Sequence, residues 1–268
     1  MNAAHAVKPE RELAWLDVEA VSVRFGGVRA VTDVSFGVHR GEVLSIIGPN
    51  GAGKSSLLNV ISGVYRAQQG RLHFEGQLLP QASPRDAAQR GIGRTFQNLA
   101  LFRGMSVLEN VLTGRVLLMR SSMLAHAAAW PRAQREERAH REAAHRVIDF
   151  LGLQRVRDMP VHQLPYGLQK RVELARALAA EPRLLLLDEP MAGMNSHDKH
   201  EMSRVIVEAN RKLGITIVLI EHDMGVVMDV SDRVVVLDYG KKIADGRPGA
   251  VRDDPAVVAA YLGLAQAA

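Results

Sequence analysis

The chain alternates between short apolar runs and longer segments whose apolar residues recur at helical spacing. The apolar runs predict β-strands at residues 17–25, 31–38, 43–47, 71–77, 93–96, 183–188, 215–220, 233–237 and 242–244. The helical segments predict α-helices at residues 53–63, 106–119, 131–150, 168–180, 195–213 and in a short stretch from residue 222. The predicted fold class is therefore α/β, with a helical insertion between about residues 98 and 170. The Gly26-Gly27 pair marks a turn between the first two strands and predicts an antiparallel β region at the N-terminus.

Composition is ordinary for a globular protein, with 47% apolar and 24% charged residues. The chain has no cysteine, which excludes disulfides, a thiol nucleophile and cysteine-ligated metal centres. The 34 Lys and Arg residues modestly exceed the 29 Asp and Glu residues, which fits nucleic acid, an anionic membrane surface or nucleotide phosphates equally well. No run approaches the ~18 consecutive apolar residues of a membrane span. The charged N-terminus is unlike a secretory signal, so we expect a chain that is neither inserted nor secreted.

Three arginines at threefold spacing, Arg132, Arg135 and Arg138, raise the question of nucleic-acid binding. Glu136 and Glu137 dilute their positive field, and no aromatic residues interleave with them as stacking platforms. A solvated helix face is the favoured interpretation, and we expect no nucleic-acid partner.

A phosphate-binding loop is the strongest chemical signal. Residues 48–55 fit the pattern G-x-x-x-x-G-K-[ST], between a buried strand and a helix as that pattern requires. Its glycines let successive backbone N–H groups point at phosphate oxygens, and the helix adds its positive N-terminal end. Lys54 offers a charge to the β- and γ-phosphates, and Ser55 offers a hydroxyl to magnesium.

Acidic and polar residues follow three other predicted strands. An apolar strand ends in Asp188, the position from which P-loop enzymes hold magnesium, and Glu189 follows at once, placed to orient or deprotonate a water. His222 comes just after the next strand, and Gln97 follows the predicted strand at 93–96. The carboxyl ends of strands are where α/β proteins bind ligands, so these four side chains are candidates for one site.

The motifs together resemble the ATP-binding subunit of ABC transporters over essentially the whole chain. In order they are Phe25, residues 48–55, Gln97, the hexapeptide LPYGLQ at 164–169, residues 184–189, the tetrapeptide AGMN at 192–195, and His222. The hexapeptide is similar to the ABC signature, which other P-loop families lack. The phrases RFGG at 24–27, RTFQN at 94–98, EHDM at 221–224 and AYLG at 260–263, with the long insert around 114–145, resemble the branched-chain amino acid (Liv-type) branch.

The resemblance implies ATP and Mg²⁺ as ligands. The implied nucleotide-binding residues are Phe25, stacked on adenine, and Gly48, Pro49, Asn50, Gly51, Ala52, Gly53, Lys54, Ser55 and Ser56 around the phosphates. The implied metal site comprises Ser55, Gln97 and Asp188. Glu189 would be the general base, His222 would hold the γ-phosphate, and Gln97 would also link the site to the permease.

The implied assembly is a pair of such subunits with two ATP molecules between them. The signature residues would complete the partner's site, and these are Leu164, Pro165, Tyr166, Gly167, Leu168 and Gln169. Closure on ATP and opening after hydrolysis would drive membrane permease subunits, served indirectly by a periplasmic or extracellular substrate-binding protein. The pair can be a homodimer or a heterodimer, and the permease and binding protein select the transported compound. The implied location is peripheral, on the cytoplasmic face of the inner (plasma) membrane.

The resemblance also implies one ABC ATPase domain over residues 1–268. Its parts are a nucleotide-binding core at 1–97 and 181–245, a helical subdomain at about 98–180 and a C-terminal helical tail at 246–268. Within the insert, Leu99–Val111 is the candidate permease contact, and packing in the subdomain core is the equally weighted alternative.

Two positions depart from the common family pattern. Pro165 replaces the signature serine and has neither a hydroxyl nor an N–H, so contact with phosphate would come from backbone amides near Gly167 and the helix N-terminus. Asn195 stands where many ABC ATPases have Asp. Both changes resemble the Liv-type branch, and either could make two sites of a heterodimer unequal.

Two other classes of protein compete with a transporter ATPase. A soluble ABC protein acting on ribosomes or nucleic acid is the first, but such proteins usually carry two ATPase domains or a long coiled-coil insert, and this chain has one P-loop. A P-loop kinase or a non-hydrolysing nucleotide-binding module is the second, and the signature hexapeptide and Glu189 argue against it.

Overall fold

The computed structural model describes residues 14–80, 82–97, 99–119 and 131–265. The strands in these ranges are β1 (Leu16–Phe25), β2 (Val28–Val38), β3 (Val43–Ile47), β4 (Gln69–Phe74), β5 (Gln77–Leu78), β6 (Ile92–Arg94), β7 (Leu184–Asp188), β8 (Thr216–Ile220), β9 (Arg233–Asp238) and β10 (Lys241–Gly246). The helices are α1 (Lys54–Ile61), α2 (Pro84–Gln89), α3 (Val107–Thr113), α4 (Pro131–Phe150), α5 (Tyr166–Ala179), α6 (Ser196–Leu213), α7 (Met224–Val230), α8 (Pro248–Arg252) and α9 (Pro255–Ala265).

The strands form two sheets. The first is antiparallel with order β2-β1-β4-β5, and its β1–β2 hairpin turns at Gly26 and Gly27, as the sequence predicts. The second has order β10-β9-β3-β8-β7-β6 and is parallel except for the β9–β10 pair. Strands β3, β7 and β8 are buried along their whole length, which explains their uninterrupted apolar sequences.

The second sheet separates two hydrophobic cores, because successive side chains of a strand face opposite sides. On one side, Leu44, Leu186 and Val218 pack with the antiparallel sheet and α1. On the other side, Leu185 and Leu219 pack with α3, α4, α5 and α6. The helices between β6 and β7 thus share a core with the sheet.

Two predicted elements are wrong in extent. The predicted strand over 71–77 is two strands, because Glu75 and Gly76 adopt φ values of 53° and 72° and turn the chain between β4 and β5. The predicted helix over 106–119 ends at Thr113. At Gly114 the chain passes so close to α5 that a Cβ would lie 2.1 Å from the carbonyl oxygen of Arg176, and a short 3₁₀ turn follows. The other predicted elements are present with ends shifted by a few residues. No described helix combines the length and apolarity needed to cross a bilayer.

Candidate active site

The loop between β3 and α1 is shaped by glycines at its two ends. Gly48 has φ 143°, and a Cβ there would lie 1.9 Å from the carbonyl oxygen of Leu237. Gly53 has φ 96°, and its Cβ would lie 2.1 Å from the carbonyl oxygen of Ala30. Side chains are therefore excluded at both ends. Gly53 also precedes α1 without a side-chain cap, which leaves the first N–H groups of that helix available to an anion.

Lys54 holds its ammonium inside this loop. Its side chain is buried, and Nζ donates hydrogen bonds to the carbonyl oxygens of Gly48 at 2.7 Å and Pro49 at 2.8 Å. Burial lowers the pKa of Lys54, and the charges of Glu189 and Asp188 oppose that shift. A partly desolvated cation therefore lies against the loop that the phosphates would enter.

Asp188, at the end of β7, is held from two sides. Its Oδ1 accepts a hydrogen bond from Ser55 Oγ at 3.3 Å, and its Oδ2 pairs with Arg94 Nη2 at 3.0 Å. Burial raises the pKa of Asp188, and Arg94 counteracts the shift. Arg94 is itself fixed by hydrogen bonds from Nη1 to Asn59 Oδ1 and Ser62 Oγ. Sequence analysis named Arg94 only as part of a motif and missed this buried ion pair. No signal in the sequence indicated it, because the pairing of β6 with β7 is a property of the fold.

Glu189 meets the other two predicted catalytic residues. Gln97 Nε2 donates to Glu189 Oε2 at 2.9 Å, and His222 Nε2 is in hydrogen-bond contact with Glu189 Oε1. Glu189 has φ 50°, an uncommon conformation for a residue with a side chain, while its N–H donates to the carbonyl oxygen of Ile220. The backbone therefore directs this carboxylate between Gln97 and His222.

Glu221 is a buried residue directly after β8, at the same edge of the sheet, and the sequence analysis did not identify it as a functional residue. Its buried carboxylate accepts hydrogen bonds from the N–H groups of Met191 at 2.9 Å and His222 at 3.2 Å. Burial raises its pKa, and the two N–H donors lower it. The sequence feature that could have identified Glu221 is its position between an apolar strand and His222.

Lys54, Ser55 and Glu189 border a cavity of about 240 Å³. It is lined by Val28, Arg29, Ala30, residues 50–56 and Glu189. Phe25 is not among the lining residues. Its half-exposed ring packs edge-on against Tyr65, with 5.0 Å between centroids, at the end of the β1–β2 hairpin that contributes Val28 and Arg29.

The hexapeptide 164–169 opens α5 and lies outside the lining of that cavity. Leu164 is buried and its carbonyl accepts from Gln169 Nε2 at 2.8 Å, whereas Tyr166 is exposed. Pro165 is the N-cap residue and provides no side-chain cap. A Cβ at Gly167 would lie 2.6 Å from Asp198 Oδ2, so a residue with a side chain would require that carboxylate to move. Leu168 packs partly into the helical core.

A buried lysine connects this helix to Gln97. Lys170 Nζ donates to the carbonyl oxygen of Gln97 at 3.1 Å and lies 3.5 Å from Glu173 Oε2. This hydrogen bond joins α5 to the backbone of Gln97.

Comparison with known proteins identifies the family. The profile described as "ABC transporter" matches residues 31–192, and the profile described as "Branched-chain amino acid ATP-binding cassette transporter" matches residues 241–265. The chain belongs to the ABC transporter ATP-binding family. It is accordingly an ATP-binding, ATP-hydrolysing transporter subunit.

The ABC relatives align over nearly the full length of this chain. BraF of Pseudomonas aeruginosa, a high-affinity branched-chain amino acid transport ATP-binding protein, is 37% identical over 93% of this chain and 98% of its own. LivG of Escherichia coli K12, named in the same way, is 36% identical with the same coverage.

Solved ABC cassettes share the fold. A nucleotide-free ATP-binding cassette from an ABC transporter is 35% identical, with a TM-score of 0.81 over 93% of this chain and 99% of its own. The ADP conformation of the cassette MJ1267 gives 0.81 at 34% identity, over 94% and 99% of the two chains. A dimeric structure of the cassette MJ0796 gives 0.73 at 26% identity, over 87% and 98%.

Asn195, one of the two departures from the common ABC pattern, has a structural role. Its Oδ1 accepts the N–H of Asp198 at 2.9 Å, so it caps α6 as an aspartate would. Its Nδ2 donates to Asp198 Oδ2, the carboxylate beside Gly167. Asparagine therefore joins the start of α6 to the signature through a donor that aspartate lacks.

Proposed function

We propose that this chain powers an importer of branched-chain amino acids by hydrolysing ATP at the carboxyl edge of its parallel sheet. The meeting of Gln97 and His222 on the Glu189 carboxylate, beside the P-loop cavity, is the observation that carries the hydrolytic site. The names of the relatives and the profile at 241–265 support the substrate class.

Glu189 is the proposed general base, and His222 the group that holds the γ-phosphate. Glu189 borders the cavity formed by the P-loop, and its carboxylate is oriented by two side chains that follow different strands. Phosphoryl transfer to water depends on positioning and electrostatics, which such an oriented acid supplies. Phe25 is proposed to carry the adenine ring, from the half-exposed position that it occupies at the tip of its hairpin.

Ser55, Asp188 and Gln97 are the proposed Mg²⁺ ligands. The hydroxyl of Ser55 and Oδ1 of Asp188 already lie 3.3 Å apart beside the P-loop, and oxygen donors of this kind suit magnesium. Magnesium, when bound, neutralises phosphate charge. The ion pair with Arg94 engages Oδ2 of Asp188 and leaves Oδ1 facing Ser55, which orients the carboxylate for binding magnesium.

The signature residues are proposed to act on the ATP of a second subunit. They do not line the cavity of their own chain, and the exposed ring of Tyr166 is available for contact. The dimeric cassette among the structural relatives fits such a pairing. Within the chain, we propose a division of the ATPase domain into a helical subdomain at about 98–180, a nucleotide-binding core at 1–97 and 181–245, and a C-terminal tail at 246–268.

We propose that Leu99–Val111 contacts the permease at the cytoplasmic face of the membrane, with a substrate-binding protein supplying the permease from outside. Phe102 and Met105 are exposed, whereas Val107 and Val111 are buried in the helical core, so the contact is assigned to the first half of the segment. Asn110 fixes Phe102 by accepting its N–H at 2.9 Å and donating to its carbonyl at 3.1 Å.

A charge at Phe102 tests this contact. We expect Phe102→Glu to keep the ATPase activity of the isolated subunit and to lose most transport in the assembled importer, because a carboxylate on a docking surface must be desolvated. ATP hydrolysis and uptake are measured on the same preparations. Leu78→Glu, at an exposed apolar residue of β5, is the matched control and should transport normally. Normal transport by Phe102→Glu would remove this residue from the contact.

Uptake of labelled leucine, isoleucine and valine tests the importer assignment. A strain lacking this chain should lose uptake of these amino acids, and the wild-type chain should restore it while Lys54→Ala should not. Unchanged uptake in the deletion strain would refute the branched-chain substrate class and leave the assignment as an ATPase unaffected. A panel of other amino acids, amides and aromatic acids would then follow.

A further inference from the structure

A second cavity, of about 490 Å³, lies at the opposite edge of the parallel sheet. Its lining includes Arg183, directly before β7, and Ile215, directly before β8. Those two strands end at Asp188 and Ile220, on the side of the ATP site. Residues of α4 form the facing wall, so the cavity lies in the seam between the helical insert and the sheet.

The cavity is strongly basic. Arg40, Arg115, Arg146 and Arg183 line it, with Glu181 as the one acidic residue among the described lining. Arg115 pairs with Glu181 at 2.9 Å, and Arg183 pairs with Glu75. Arg40 and Arg146 have no carboxylate partner in the described part of the chain. Two guanidinium groups therefore face this seam with their charge uncompensated.

One arginine is built rigidly into the wall. The side chain of Arg115 is 8% exposed, and its Nε donates to His140 Nδ1 at 2.9 Å while its Nη1 donates to the carbonyl oxygen of Ala179 at 2.8 Å. These bonds join the end of α3 to α4 and to the end of α5. Arg115 is therefore a fixed part of the wall whose charge is balanced by Glu181, and the anion is left to the unpaired arginines of the lining.

The remaining walls are apolar and aromatic. Trp15, Val147, Phe150 and the half-exposed Leu213 contribute them. The guanidinium of Arg40 lies over the Trp15 ring at 4.9 Å from its centroid. The indole Nε1 of Trp15 is buried and has no hydrogen-bond partner among the described residues. A cavity of this size, with apolar walls and a few charged groups, has the composition of a small-molecule site.

We propose that this cavity binds a small organic anion with an aromatic or branched apolar body, whose carboxylate or phosphate is held by Arg40 and Arg146. The apolar body lies against Trp15, Phe150 and Leu213. Such a ligand contacts both the helical insert and the segments that precede the strands of the ATP site, and therefore bridges the two.

Trp15 provides a direct readout of binding. The chain has two tryptophans, and the other, Trp130, lies outside the described residues. In a Trp130→Phe background, 3-phenylpropionate is expected to change the Trp15 emission saturably. Its uncharged amide should bind at least about tenfold more weakly, because a charged hydrogen bond is lost. Inorganic phosphate, which lacks an apolar body, should also bind more weakly than 3-phenylpropionate.

Substitutions locate the site. Arg40→Gln and Arg146→Gln should each weaken 3-phenylpropionate binding by about tenfold. Both residues are exposed, so the variants should fold. Arg138→Gln, at an exposed arginine of the same helix α4 outside the cavity, should bind as the parent does. Absence of saturable binding, equal affinity for the amide or phosphate, or affinity unchanged in both lining variants would each overturn the proposal.

Discussion

We expect Glu189→Gln to bind ATP about as tightly as the wild type and to hydrolyse it about a thousandfold more slowly, equivalent to ~4 kcal/mol of barrier. The substitution keeps the size of the side chain and an oxygen that can accept from Gln97, which now donates at 2.9 Å. It removes the negative charge that would orient a water and accept its proton. Phosphate release at saturating ATP measures the rate, and calorimetric titration measures binding.

Glu221→Gln is the matched control for this experiment. Glu221 is the neighbouring buried carboxylate, but it accepts backbone N–H groups of Met191 and His222, which a glutamine oxygen can still do in part. We expect a loss of turnover much smaller than that of Glu189→Gln. Near-normal hydrolysis by Glu189→Gln, or an equal loss in both variants, would assign the base to another group.

The sequence predicts those parts of the site that are local in the chain. The P-loop is contiguous, and its glycines are required by close backbone approaches at Gly48 and Gly53. Asp188 and His222 follow apolar strands, and parallel strands bring their carboxyl ends to one edge. The meeting of Glu189 with Gln97 and His222 follows from strand order, which the pattern of apolar runs alone does not specify.

Other contacts between distant segments were not predicted. Arg94 and Asp188 form a buried ion pair only because β6 pairs with β7, and neither strand sequence encodes that neighbour. The basic cavity is assembled from side chains that share no motif, such as Arg40 and Arg146. Their arrangement depends on how α4 packs against the sheet, which is a property of the folded chain.

One error in secondary structure has a local cause and the other a tertiary cause. The prediction of one strand over 71–77 is wrong because Glu75 and Gly76 adopt positive φ values and form the turn of a hairpin. The helix predicted over 106–119 stops because Gly114 packs against the backbone of Arg176, a tertiary contact more than sixty positions away along the printed sequence. Apolar spacing continues through residues 116–118, so periodicity alone could not locate the end.

Lys54→Ala should weaken ATP binding about a hundredfold and abolish measurable hydrolysis. The ammonium lies inside the P-loop, against the carbonyl oxygens of Gly48 and Pro49, where it can turn to the phosphates that the loop encloses. A hydrogen bond to a charged group is worth roughly 1.5–3 kcal/mol, which corresponds to tenfold or more in affinity, and the lysine offers several donors. Burial already penalises this cation in the free protein, as the lowered pKa of Lys54 reflects, so its removal should not unfold the chain.

Lys212→Ala, at an exposed lysine of α6 paired with Glu208, is the control and should bind ATP normally. Tight ATP binding by Lys54→Ala, with a melting temperature equal to the control, would refute the phosphate role.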